Sequence, residues 1–231
     1  MRPSRVVRAV NWSHATGELI LIVAGILIAL EISNWYERGV QRDQELSMLQ
    51  EVRFALAADL VSLETNLEIF SRAVDQITEL SELLDEKSPY DPASMDPLFG
   101  ALYGIRTSNL NTAAYETLKS IGLQSVSNRE LRIGIARIFD HYYEQLLFEH
   151  DLDIKINTDL MRPYFLQHFR DLKVWESATP LRYEVTINDP YFQNMVDYRL
   201  TILSLNQINS YASAITEIRK VLLLLDQELS A

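Results

Sequence analysis

Val10–Tyr36 reads VNWSHATGELILIVAGILIALEISNWY. Its centre, Leu19–Leu30, is a charge-free run of twelve apolar or small residues closed by Glu18 and Glu31. Taken alone, a run of roughly 10–14 such residues fits a buried core helix or the apolar part of a leader. The flanks extend it. Trp12 and Trp35 lie 23 residues apart, which is about 34 Å of helix at ~1.5 Å per residue, and a bilayer's hydrocarbon core is roughly 30 Å thick. Indole and phenol rings favour the two membrane–water boundaries, so Trp35 with Tyr36 forms one belt and Trp12 the other. Leu27–Ser33 has no pair of small residues suited to leader cleavage, and the run has no polar face for a soluble or interfacial helix to present. The expectation is an uncleaved transmembrane helix over 12–36, a signal-anchor, behind a short cytoplasmic tail, 1–11.

Only Lys and Arg set orientation, and Arg2, Arg5 and Arg8 outweigh Arg38 and Arg42. The N-terminus is therefore expected in the cytoplasm and the rest of this single-pass chain outside. His14 and Glu18, four residues apart on one helix face, form a candidate intramembrane pair at the headgroup level. Gly25 and Ala29 form a small-xxx-small step, a candidate for span packing.

The 231 residues are 48% hydrophobic and 23% charged, with 7 Gly and 7 Pro, which excludes disordered and collagen-like chains. No cysteine is present, so disulfide frameworks, Cys-ligated zinc and thiol nucleophiles are excluded. The net charge is −11, and from Val40 onward 17 basic residues face 29 acidic ones. Such a body repels phosphate backbones, so no nucleic-acid partner is expected.

From 40 to 231 the pattern predicts an acidic helical-bundle domain. Leu56, Leu60, Leu63, Leu67, Phe70, Val74, Ile77 and Leu84 recur at steps of three and four, interrupted at Ser81. That is the spacing of a helix in a bundle or coiled coil, and this helix runs on from the span past Gly39. Pro89, Pro92 and Pro97 mark a break. Shorter helices are expected over 98–106 and 112–121, the latter ended by Gly122. Ser127-x-x-Glu130 reads as a capping box, opening a helix over 128–161 with Leu131, Ile135, Ile138, Tyr142, Leu152 and Ile156 inward. An irregular stretch, 162–188, carries Trp175 and a strand-like 181–187. Asp189-Pro190 supplies an N-cap and first-turn proline for a last helix to Leu229. The fold class is all-α: a transmembrane helix continuing into an elongated, four-helix-bundle-like domain.

Carboxylate-bridged metals in bundles need Glu-x-x-His on two helices, and none of His14, His141, His150 and His168 has that glutamate. Neither a nucleophile elbow, a phosphate loop nor a dinucleotide fingerprint occurs. No catalytic, metal or cofactor site is expected. Arg137, His141, Tyr142, Asn206 and Asn209, with Ser213, interrupt apolar faces and form a candidate polar pocket for a small anion. Glu149-His150-Asp151 reads as a solvated face, since consecutive helical residues point apart.

Two stretches carry a resemblance. The first is Gly17-Glu18, Gly25–Leu30 and Asn34-Trp35; the second is Ala114–Ser120, Gly122-Leu123 and Asn128–Arg132. In that order they resemble an uncharacterised bacterial family, a domain of unknown function found in single-span, N-terminally anchored helical proteins. The resemblance implies a bacterial inner-membrane protein with a periplasmic bundle, and implies no activity. Two functions are expected: a structural or interaction protein whose partners are the lipid bilayer and a second protein or another copy of itself, or a ligand-sensing bundle that signals through a membrane partner.

Overall fold

The computed structural model describes residues 12–230, with side chains from Leu21 onward. Arg2, Arg5 and Arg8, and the side chains of Trp12, His14 and Glu18, lie outside the described part. The chain divides into two compact units, Met1–Ser47 and Met48–Ala231, a boundary later than the expected one at 40.

Helix α1 (Trp12–Asp85) passes unbroken through Gly39. Leu21, Ile22, Val23, Ile26, Leu27, Ile28, Leu30 and Ile32 are all exposed, from 47% at Val23 to 74% at Leu21. Among the described residues no helix is long and apolar enough to cross a membrane, so the expected span is not found there. Past Leu30 the helix takes up Glu31, Asn34, Glu37 and Arg38, which dilute the apolar run.

The second unit is mostly helical. From Met48 onward α1 buries Leu49, Val52, Leu56, Leu63, Phe70, Ala73, Ile77, Leu80 and Leu84, while Leu60, Leu67 and Val74 pack at the margin. At the Ser81 interruption Leu80 takes the inward place. α2 (Pro92–Tyr103) is capped by Asp91 and contains Pro97. α3 (Ala113–Ile121) ends at Gly122, whose φ of +112° suits glycine.

A second rod is α4 (Arg129–Arg137), a π-helical turn (Ile138–Tyr142), α5 (Tyr143–Ile156), another π turn (Asn157–Met161) and α6 (Arg162–His168). Its cap is one residue later than expected: the Asn128 side chain accepts from the N–H groups of Glu130 and Leu131. The rod also outlasts the expected stop at Met161. Pro163 falls in the first turn of α6, directly behind a π turn, where the wider ring accommodates the missing donor. The third rod is α8 (Pro190–Thr201), a π turn (Ile202–Gln207) and α9 (Ile208–Ser230). It runs antiparallel to the second, with Asp153 on Arg199, Gln145 on Ser210 and Arg137 on Glu217. Arg53–Asp226 and Glu64–Arg219 join it antiparallel to α1.

The strand expected over 181–187 is a correction. Tyr183–Ile187 is the short helix α7, burying Tyr183, Thr186 and Ile187. Leu181 and Val185, which produced the two-residue alternation, are exposed. The strands lie upstream, β1 (Phe169–Lys173) antiparallel to β2 (Ser177–Pro180), with Phe169 opposite Pro180. This hairpin rests on α2 at Gly100, where a Cβ would come 2.3 Å from the Ser177 nitrogen.

The cap of α8 has a measurable consequence. Asp189 accepts from the Tyr191 N–H and the Tyr164 hydroxyl. The Tyr164 bond first, then the backbone bond, hold its carboxyl below the usual range. A depressed folded pKa contributes stability above the unfolded value of about 3.9 that is lost as pH falls through the folded one. Urea unfolding is expected to show Asp189→Ala losing about 1 kcal/mol at neutral pH. Asp189→Asn is expected to remove the part of the stability loss that wild type shows below about pH 4.

Candidate functional site

Between α2 and α3 the backbone of Gly104–Thr112 is neither helix nor strand, so its carbonyls need partners from elsewhere. Three side chains, from two rods and the hairpin turn, supply them, and a fourth takes the last carbonyl of α2 just before the segment. Asn157 Nδ2 donates to the Tyr103 carbonyl at 2.7 Å, and Arg199 Nη2 to Gly104 at 2.5 Å. Trp175 Nε1 donates to Ile105 at 3.0 Å, and Asn66 Nδ2 to Thr107 at 3.3 Å. The Tyr211 hydroxyl meets Ser108 Oγ at 2.5 Å. At the far end the Asp59 carboxylate accepts from the Asn111 backbone N–H at 3.0 Å and the Tyr143 hydroxyl at 2.6 Å. Asn111 Nδ2 adds a further bond.

Burial makes this polar set consequential. Arg199 and Asp59 are 0% exposed, Asp153 and Asn157 1%. Arg199 is neutralised by Asp153 through Nη1. Asp153 Oδ2 and the Nε atoms of Arg199 and Arg106 are buried without hydrogen-bond partners. A buried pair satisfied only in part adds little net stability, while removing one partner strands the charge of the other. Burial, then the Asp59 bond, push the Tyr143 phenol far up, so it stays a neutral donor. Burial likewise raises Tyr211.

Sterics confine the segment as tightly as hydrogen bonds do. A Cβ on Gly104 would stand 2.1 Å from the Trp175 ring, so the indole lies directly on that glycine. Trp175 holds this place with φ at +67°, a left-handed conformation that bulky residues rarely adopt. Two π turns flank the Arg199–Asp153 pair. Each turns a buried amide onto a carbonyl of a neighbouring element: Asn157 onto Tyr103, and Gln207 Nε2 onto Glu149 at 2.9 Å.

The candidate pocket of Arg137, His141, Tyr142, Asn206 and Asn209 does not come together. Arg137 pairs with Glu217 at 3.3 Å beside an open depression of about 430 Å³ that includes Gly134 and Lys220. His141 is exposed against the Tyr142 ring. Asn209 folds back onto the Leu205 carbonyl, and Asn206 reaches Glu149 Oε2 at 3.3 Å. Ser213 faces solvent. Glu149 is a correction, because the residue expected on a solvated face is 7% exposed. Gly25 and Ala29 are open on all sides, with nothing within 4 Å of a Cβ on Gly25. Trp35 and Tyr36 are 72% and 67% exposed. Among the described residues no group of His, Asp and Glu is placed to hold a metal.

The model of a family of unknown function, DUF6090, matches residues 18–165. The chain belongs to this family. No curated protein and no solved structure matches it. The DUF6090 stretch runs from Glu18 in α1 to Phe165 in α6. It contains Asp59, Asn66, Asp153, Asn157 and the whole of Gly104–Thr112, whereas Trp175, Arg199 and Tyr211 lie beyond it. Most of the cradle, Tyr143 included, thus lies in the DUF6090 region, and the rest on the C-terminal rod and hairpin. The Tyr115–Leu118 turn inside it is structural: Tyr115 stacks on Phe139 at 4.4 Å and donates to Asp140 at 2.7 Å.

Removing one partner of the buried pair, by Arg199→Met or Asp153→Ala, is expected to cost about 3–5 kcal/mol in urea unfolding. The double replacement Asp153→Leu/Arg199→Met is expected to cost clearly less than the sum. Single losses below about 1 kcal/mol would show that the pair does not hold the segment.

Proposed function

We propose that this DUF6090 protein is a single-pass bacterial inner-membrane protein in which α1 is the signal-anchor. Its acidic body, an elongated four-helix-bundle-like domain, stands in the periplasm and acts as a structural or interaction module. One observation carries the reading: from Leu21 to Ile32 apolar side chains are exposed on every side of α1. A patch-free surface is normal for a soluble chain, and an all-round apolar helix needs lipid or another apolar surface around it. Trp35 and Tyr36 follow directly, as boundary rings do. The apolar run begins at Leu19, and with Trp12 it extends into residues whose side chains are not described.

The interaction reading is favoured over ligand sensing because the side chains proposed to hold an anion are dispersed or already paired. The polar groups that do converge are spent on the chain's own backbone. Orientation rests on Arg2, Arg5 and Arg8.

Fusing alkaline phosphatase after Ala231 in bacterial cells is expected to give an active, membrane-bound enzyme. A reporter that works only in the cytoplasm would reverse the orientation, and an active fusion released in soluble form would remove the anchor.

A further inference from the structure

Resting on the membrane reading above, we propose that the Glu31–Arg38 ion pair sets how deeply α1 sits in the bilayer, bringing Trp35 and Tyr36 to the phospholipid headgroup level. Glu31 closes the apolar run, Ile32 follows it, and Trp35 comes four residues later, about 6 Å along the helix. With the rings at the boundary, the Glu31 carboxylate lies one turn below them, on the hydrocarbon side. An isolated carboxylate is disfavoured there and pulls its helix toward water.

Arg38 answers that carboxylate. Seven residues on, it shares the same helix face. Its Nη2 donates to Glu31 Oε1 at 2.8 Å, and its Nε donates to the Asn34 carbonyl at 3.1 Å. The guanidinium therefore reaches back along α1 toward the apolar run, opposite to the outward reach of a basic residue seeking water. Both side chains are largely exposed, 64% for Arg38 and 72% for Glu31. In water such a pair contributes little and fixes two long side chains. In lipid the same pair is a net-neutral, hydrogen-bonded unit that carries Glu31 below the rings without an unpaired charge.

The chain has no cysteine, so single introduced thiols report depth in the full-length protein. Ile26→Cys, Ser33→Cys and Val40→Cys are placed separately in the chain, which is inserted into nanodiscs of phosphatidylcholine and phosphatidylglycerol and treated with a charged maleimide. Val40→Cys is expected to label quickly, Ser33→Cys slowly and Ile26→Cys least. Adding Arg38→Gln is expected to speed labelling of Ser33→Cys by about fivefold or more, as the unpaired carboxylate rises to water. Adding Glu31→Gln as well is expected to restore the slow rate. A rate that Arg38→Gln leaves within about twofold, or that Glu31→Gln fails to restore, would overturn the role of the pair while leaving the anchor intact. Equally fast labelling at Ile26→Cys and Val40→Cys would instead overturn the membrane reading itself.

Discussion

Gly104–Thr112 is the constraint on which the body depends. A stretch of irregular backbone laid against helices loses water without gaining a helical ladder, and each unpaired carbonyl is costly. Asn66 from α1, Arg199 from the third rod and Trp175 from the hairpin turn each take one of those carbonyls, and Asn157 from the second rod takes the Tyr103 carbonyl just before them. The same few bonds that satisfy the segment therefore register three rods and a hairpin against one another. The charge of Arg199 then requires Asp153, which stands four residues before Asn157 on the same helix face, just ahead of a π turn.

How much of this was legible follows from the kind of signal each residue leaves. The inward face of α1 could be read because apolar residues at steps of three and four have one explanation. The Asp189-Pro190 start and the Gly122 stop could be read because their backbone chemistry is local. The two α1 residues that tie down the segment, Asp59 and Asn66, sit on that same inward face and look like polar interruptions. Arg199 gave no warning, since a lone arginine in an amphipathic helix resembles a solvated one. Its partners lie 46 and 95 residues away in sequence. The π turns were invisible for a related reason: one extra residue per turn shifts the apolar phase without breaking it. Glu149 lies seven residues from both Tyr142 and Ile156 and so shares their expected inward face; only its charge made it read as surface.

The hairpin shows the opposite failure. Alternation at Leu181, Tyr183, Val185 and Ile187 is a good strand pattern, yet the buried positions are 183, 186 and 187. Phe169–Lys173 carries Arg170, Asp171 and Lys173 and has no apolar alternation to notice, yet it pairs with Ser177–Pro180. What selects the strands is Gly100, whose missing side chain admits their backbone, a tertiary effect with no trace in the strand's own sequence.

The two units express one division of labour. The body turns many of its polar groups onto its own backbone, while α1 from Leu21 to Ile32 displays exposed apolar side chains. Membership in DUF6090 fixes kinship and leaves the activity open. Extraction of bacterial membranes with alkaline carbonate tests directly whether lipid covers that surface. The full chain is predicted to stay in the pellet, and a variant with Leu21, Ile22, Ile26 and Leu27 replaced by Ser is predicted to pass into the supernatant with its body folded. Release of the unaltered chain would contradict the account.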